Sequence, residues 1–416
     1  MNSEKQSTNL QMTLRGVNRV GEGQKNVPKL RFKGYEDAWE QRKLGEIVLS
    51  EIKGSAKAEM IGGDTPYLET NYLNGGECLF VDSENNVDTD DVIVLWDGSQ
   101  AGTVYHGFSG ALGSTFKAYK TKCLGLFIFQ QLKKNQQTIY DKYRTPNIPH
   151  VIKTFKDEYD VMLTSEEEQN EIGRYFQQID HLITLHQRKY DALKSMKKTL
   201  LSKIFPKNGE DVPEIRFKGY TDAWEQRRLE EIFLKIRNAF VGTSTPYYVE
   251  KNQGGHFYIE SNNVKHGKIN HDTEVFINEE FYQNQKDKWL KTGDIVMVQS
   301  GHVGHSAVIP EYLNNSAAHA LIMFQEYKIE TNPYFINFQF QTESVRNKID
   351  SITTGNTIKH ILASDMKLFS ISNTQKKEAD KLGDFFISLD NLITLHQRKL
   401  EELKKMKKTL LQQMFV

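Results

Sequence analysis

Two cysteines, Cys78 and Cys123, are all that the 416 residues contain. A pair so sparse cannot staple the chain with a disulfide framework or build a thiolate metal site, and it fits a reduced, cytoplasmic setting. Long hydrophobic runs are missing as well: no stretch approaches the ~20 apolar residues that a membrane span requires. Residues 1–26 are polar, lack the apolar run of a signal peptide, and are expected to form a flexible extension. No excess of one charge exists either, because 54 Lys and Arg balance 54 Asp and Glu. That excludes a polycation that holds nucleic acid by bulk charge, though not a local basic face. Catalytic signatures are equally scarce. The chain has no GxxxxGK[ST] phosphate loop, no HExxH, no paired CxxC and no GxSxG elbow, so nucleotide hydrolysis, zinc proteolysis and serine hydrolysis have no visible machinery. No catalytic residue, metal ligand or cofactor is assigned.

What is present is repetition. A hydrophobic fraction of 38% and a charged fraction of 26% describe a globular chain, long enough for two or three domains. Residues 27–47, VPKLRFKGYEDAWEQRKLGEI, return at 212–232 as VPEIRFKGYTDAWEQRRLEEI, with 16 of 21 positions identical. Residues 172–205 return at 382–415 with 20 of 34 identical, and the octapeptide LITLHQRK is shared letter for letter at 182–189 and 392–399. The segments between, 48–171 and 233–381, differ in length and sequence. The chain is two half-copies, each a short lead-in, a divergent insert and a repeated C-terminal segment.

The repeated C-terminal segment reads as a helix. Apolar residues fall at Phe176, Ile179, Ile183, Tyr190, Leu193, Leu200 and Ile204, and at the matching places of the second copy, on the spacing of a coiled-coil seam. His186 and His396 sit in that seam, where a register-setting packing role is a better reading than a ligand role. No Pro or Gly interrupts either copy after Gly173 or Gly383, so a rod of ~50 Å is expected from 172 and from 382. One such helix cannot bury its stripe alone. Two in one chain can bury each other.

Each insert reads as mixed α/β. An aspartate leads an apolar strand and a glycine loop in DVIVLWDGSQAG (91–102) and in DIVMVQSGHVGHSAVI (294–309). A second extended run follows, STFKAYK or HALIMFQEYK, and then a helix over 124–143 or 333–349, the latter opened by Asn332 as N-cap and Pro333 at its first turn. That capped start also accounts for the TNPYF stretch, which lacks the second proline of a methyltransferase motif. In SGHVGHS, His302 and His305 are close enough for a metal, but a turn between strands, with glycines supplying positive φ, is the better reading. Trp39 and Trp224, in the repeated DAWEQR, are either apolar anchors for the lead-in or a partner-docking surface. The formal charge is −8 over 48–171 and zero over 233–381, against +5 and +2 for the repeated helices 172–205 and 382–416.

The RFKGYxDAWEQRxL lead-in, the alternation of divergent and repeated segments, the SEEEQNEIGRYFQQID run at 165–180 and the long helix closing each half resemble the specificity subunits of type I restriction–modification systems. The likeness spans the chain from about residue 27 onward. It implies an α+β protein in which two mixed α/β target-recognition domains, in pseudo-twofold arrangement, are joined by two long helices forming an antiparallel coiled coil. The boundaries it suggests are 1–26 for the extension, 27–171 for the first recognition domain, 172–211 for the first spacer helix and linker, 212–381 for the second recognition domain and 382–416 for the second helix. It further implies double-stranded DNA as ligand, with modification (adenine methyltransferase) and restriction–translocation subunits as partners, and no catalysis by this chain itself. The second copy departs from the pattern, reading SNTQKKEADKLG where the first reads SEEEQNEIG.

Positions rich in amide, hydroxyl and basic groups are the candidate DNA contacts, because such groups read base edges and phosphates. They are Tyr67, Asn71, Tyr72, Ser99, Gln100, Lys117 and Arg144 in the first insert, and Ser261, Asn262, Asn263, Ser300, His302, Asn356, Thr357 and Lys359 in the second. The competing reading is a protein-interaction scaffold that carries two divergent binding domains and has no nucleic-acid role.

Overall fold

The structure of the chain, a computed structural model, describes residues 17–19, 26–207, 209–355 and 359–416. It divides into two units, one built from the chain up to Gln187 together with Arg398–Val416, the other from Arg188–Gln397. Each long helix therefore contributes one half to each unit.

In the first unit an antiparallel sheet runs in the order Val48–Lys53, Phe116–Thr121, Val92–Leu95, Val104–Tyr105. The second unit repeats that order with Phe233–Asn238, Leu321–Tyr327, Ile295–Val298 and Ser306–Val308. Val92–Leu95 and Ile295–Val298 are buried along their whole length, which is why they read as continuous apolar runs and not as alternations. The aspartates ahead of them close the preceding turn: Asp91 accepts the amide of Asp88, and Asp294 that of Lys291, both at 2.8 Å. A smaller sheet follows the same plan in both units, with Tyr67–Leu68 parallel to Ala111–Leu112, and Tyr258–Ile259 parallel to Ala317–Ala318. Two inserts with little common sequence thus share one topology, set by where the buried strands fall.

The helix after the sheet is broken in both copies, where the sequence suggests one continuous element. The first copy folds as Gly125–Lys134 and Gln136–Lys142. The second folds as Pro333–Phe340 and Glu343–Ile352, the latter restarted by the Thr342 side chain accepting the Val345 amide. Asn332 caps its helix as the sequence indicates, accepting from Tyr334 at 2.9 Å and Phe335 at 3.4 Å.

The long helices span Glu166–Ile204 and Lys376–Met414, 39 residues each. They start at 166 and 376, ahead of the 172 and 382 suggested by the apolar spacing alone. For the first helix the physical reason is polar. Ser165 accepts the amide of Glu168 at 3.3 Å, and Glu166, Glu167 and Glu168 lie at the positive end of the helix dipole. Three of the carboxylates behind the first insert's −8 are therefore part of a helix start. Within the first unit Phe176 packs on Phe415 (ring centroids 5.8 Å apart) and Asp180 bonds Lys407 at 2.7 Å, so residue numbers rise along one helix as they fall along the other. The second unit has the same antiparallel contacts, Phe386 on Phe205 at 5.9 Å and Asp390 on Lys197 at 2.7 Å.

The lead-in locks onto the start of each helix. Arg31 makes two bonds to Glu168, at 2.7 and 2.8 Å, and Arg216 makes the same pair to Glu378. Trp39 is buried against Phe127 and Phe415, and Trp224 against Phe335 and Phe205, so both tryptophans anchor the lead-in. Strand Glu40–Lys43 then pairs with Asp160–Leu163, as Glu225–Arg228 does with Ser370–Asn373. The degenerate junction of the second copy has kept the one carboxylate that this lock needs.

Candidate nucleic-acid interface

In both units the loop after the buried strand meets a second hairpin. In the first, Gly98 donates to the carbonyl of Pro149 at 3.0 Å and Val151 to that of Trp96 at 2.9 Å. Gly98 and Gly102 adopt φ of +112° and +92°, the left-handed turn geometry that glycine permits. Arg144 donates to the carbonyls of Ser99 and Tyr140, each at 3.2 Å, and its guanidinium lies 4.8 Å from the Tyr140 ring centre. Ser99, Gln100 and Arg144, far apart in sequence, thus share one edge, with the exposed side chains of Ser99 and Gln100 beside a guanidinium that still has donors to offer. In the second unit Gly301 donates to the carbonyl of Lys359 at 3.3 Å and Ile361 to that of Gln299 at 3.0 Å. Ser300, His302 and Lys359 come together by the same device. Asn356 and Thr357 lie outside the described residues.

His302 and His305 stack with ring centres 5.5 Å apart, each directly after a glycine, Gly301 at φ +79° and Gly304 at φ +82°, the geometry of a turn. His305 is held below the usual histidine range by burial and by the neighbouring Arg346, His302 and His266, so it is neutral at pH 7.

Tyr67, Asn71 and Tyr72 belong to the smaller sheet and the short helix Thr70–Leu73 that follows it. Tyr72 is half-buried with its ring 5.7 Å from Phe108, and burial pushes the hydroxyls of Tyr67 and Tyr72 up, keeping both as neutral donors. Asn71 is exposed. In the second unit Ser261–Asn263 form a single 3-10 turn in the same topological place. Here the three residues part company. Asn262 is exposed, whereas Asn263 is buried and its amide is spent on the backbone, accepting from Glu260 at 2.9 Å and donating to Thr273 at 2.7 Å and Asn270 at 3.2 Å. Lys117 is similarly engaged, 2.5 Å from Glu51 and 3.7 Å above the Trp96 ring centre. Asn263 holds its own loop, and Lys117 ties strand Phe116–Thr121 to the neighbouring strand Val48–Lys53.

Sequence reasoning passed over two features at these surfaces. One is Ile148, exposed at the tip of the hairpin opposite Ser99 and flanked by Pro146 and Pro149. The other is the basic hairpin Lys265–Lys268 of the second unit, whose sequence signal is a His-Gly turn between two lysines. Among the described residues no group of three or more His, Cys, Asp or Glu is placed to hold a metal ion, and no helix is long and apolar enough to cross a membrane.

A profile of the type I restriction modification DNA specificity domain matches residues 36–195 and again residues 221–405. The type I restriction enzyme MjaVIII specificity subunit of Methanocaldococcus jannaschii is 25% identical over 409 residues, covering 93% of this chain and 94% of that protein. The putative type I restriction enzyme MjaX specificity subunit of the same organism is 21% identical over 290 residues, covering 69% and 65%. Among solved structures, the type I restriction–modification S subunit from M. genitalium superposes with a TM-score of 0.66 at 15% identity, covering 94% of this chain and 99% of that one, a likeness of fold. The profile matches twice, once on each half-copy, and together the matches take in most of the chain: it belongs to the type I restriction–modification DNA specificity family.

Proposed function

We propose that each divergent domain reads one half of a bipartite DNA target and that the paired long helices fix the spacing of the two halves. In this reading the helices also dock modification subunits that methylate adenine, restriction–translocation subunits complete the complex, and the chain works in the cytoplasm without catalysing either reaction. The observation that carries the proposal is the contrast between repeated and divergent parts of the chain. The helix-docking locks Arg31–Glu168 and Arg216–Glu378 are the same in both copies, while the loops mounted on the common sheet topology differ residue by residue. A scaffold used twice with different loops suits two different half-sites.

Within each domain we assign base and backbone contacts to Ser99, Gln100 and Arg144 with Tyr67, Asn71 and Tyr72, and to Ser300, His302 and Lys359 with Ser261 and Asn262. Asn356 and Thr357, outside the described residues, are assigned the same role from their sequence alone. Asn263 acts as a support for its loop, and Lys117 as a support for the sheet on which the first domain's loops are mounted. Exchanging residues 233–381 for the matching segment of another such subunit, then mapping methylated adenines in a genome that carries the complex, tests the modular reading. One half-site should change and the other should persist. A change in both or in neither rejects it, and a chain with no salt-dependent retention on duplex DNA favours the protein scaffold instead.

A further inference from the structure

A cleft of about 360 Å³ opens within the second unit between the first long helix, the hairpin Lys265–Lys268 and the helix Glu343–Ile352. Water takes roughly 30 Å³ per molecule, so a phosphate group fits with part of its hydration shell. The walls are basic: Lys194, Lys197 and Lys198 from the long helix, Lys268 from the hairpin, and Arg346, with the His266 imidazole beside them. One carboxylate, Asp390, lines it, and that group is held by Lys197 at 2.7 Å. Among the described residues no carboxylate pairs with Lys194, Lys198, His266 or Arg346. Lys194 and Lys198 are four apart on one helix face, an arrangement of like charges that is unfavourable unless an anion answers it.

The hairpin tip is fixed in place. His266 and Gly267 have φ of +52° and +80°, the two-residue turn of a tight hairpin. A side chain at Gly267 would collide with Gln341, and the buried Asn337 donates to the Gly267 carbonyl at 2.9 Å. The first domain offers no such element: residues 74–79, in the same place of its topology, contain Glu77 and no basic residue.

We infer that this cleft binds phosphate esters, and that its occupant is the DNA backbone beside the half-site read by the second domain. The source of the phosphate rests on the DNA-reading function proposed above; the anion chemistry of the cleft does not. The contact is sequence-independent and confined to one half of the chain.

The test compares the full chain with the variant Lys194→Gln/Lys268→Gln/Arg346→Gln, all three exposed positions, and with Lys235→Gln/Lys251→Gln/Lys328→Gln, which removes the same charge elsewhere in the unit. Thermal melts establish that both variants fold. Duplex binding is measured against salt, and inorganic pyrophosphate is titrated while the His266 imidazole signal is followed by NMR. The cleft variant should bind matched and scrambled duplexes more weakly, with a log–log salt slope shallower by about 2 to 3, and the control should keep the parental slope. Duplex binding by the parent with an unchanged slope in the cleft variant overturns the proposal. If the parent binds no duplex, the DNA-reading function falls on its own account. A pyrophosphate-dependent His266 shift lost in the cleft variant then identifies a free-phosphate site, and the absence of any shift overturns the cleft as well.

Discussion

Arg31 and Glu168, 137 residues apart, form a two-bonded ion pair from which water is almost wholly excluded: their side chains are 3% and 0% exposed. It holds the lead-in against the first turn of the long helix. Removing one partner of such a pair strands the other charge in a medium that cannot solvate it, at a cost of about 3–5 kcal/mol. Glu168→Gln and Arg31→Met are both expected to destabilise the first unit by that order, read as the loss in denaturant or thermal unfolding. The double replacement by apolar residues should cost less than either single change. A loss under about 1 kcal/mol for Glu168→Gln would mean the pair is not what fastens the lead-in.

The helix-crossing pairs differ in burial, and the difference sets an order. Asp390 and Lys197 are 10% and 14% exposed, whereas Asp180 is 37% exposed beside Lys407 at 14%. Solvent screens the second pair more, so Asp180→Asn should cost about 1 kcal/mol or less and Asp390→Asn about 1–3 kcal/mol. Unfolding of the two variants at one pH and salt decides it. The reverse order would show that burial does not govern these pairs.

Lys133 supplies a pH test. Burial, and next the charge of Lys407, bring its ammonium down to about 8, although Asp180 opposes the shift and the Val104 carbonyl accepts its proton at 3.1 Å. The folded chain therefore holds the proton less well than the unfolded chain, whose lysine titrates near 10.4. Below pH 8 the penalty is present in full, and it is relieved as pH rises from 8 toward 10.4. Lys133→Met should stabilise the first unit by about 1–3 kcal/mol at pH 7, and the advantage should shrink by pH 9.5. An advantage that is constant with pH would trace the gain to packing alone.

The repeats and the long helices were legible because periodicity and identity are properties of the sequence itself. The early start of the first helix was not, since it depends on Ser165 and three glutamates and not on apolar spacing. The Arg31–Glu168 lock could be seen only as repeated letters, because the pairing crosses 137 residues. Candidate contact residues were legible as a type and not as a direction. Asn262 and Asn263 are neighbours of the same chemistry, yet one faces solvent and the other bonds its own loop. The hairpin at His266 is hidden in the sequence for the converse reason: its Lys268 gathers with Lys194 and Arg346 only once the chain has folded.

The rod itself gives the last test. If the long helices set the distance between half-sites, lengthening them lengthens the spacer. The ion pairs dictate how this must be done. Asp180–Lys407 and Asp390–Lys197 each fix one half of the antiparallel register, so four residues inserted after Lys189 alone would force one half to slip or loop out. Insertion after Lys189 and after Lys399 together keeps both pairs and adds roughly 6 Å. At ~3.4 Å per base pair, that is about two extra base pairs between the half-sites. Four residues come close to a full helical turn, so the apolar stripe stays nearly in phase, whereas two in each helix would rotate it away and should destabilise the coil. Mapping the methylated motif of the doubly lengthened chain, in complex with its modification subunits, reads the outcome directly. An unchanged spacer at full activity would show that some other part of the complex measures the distance.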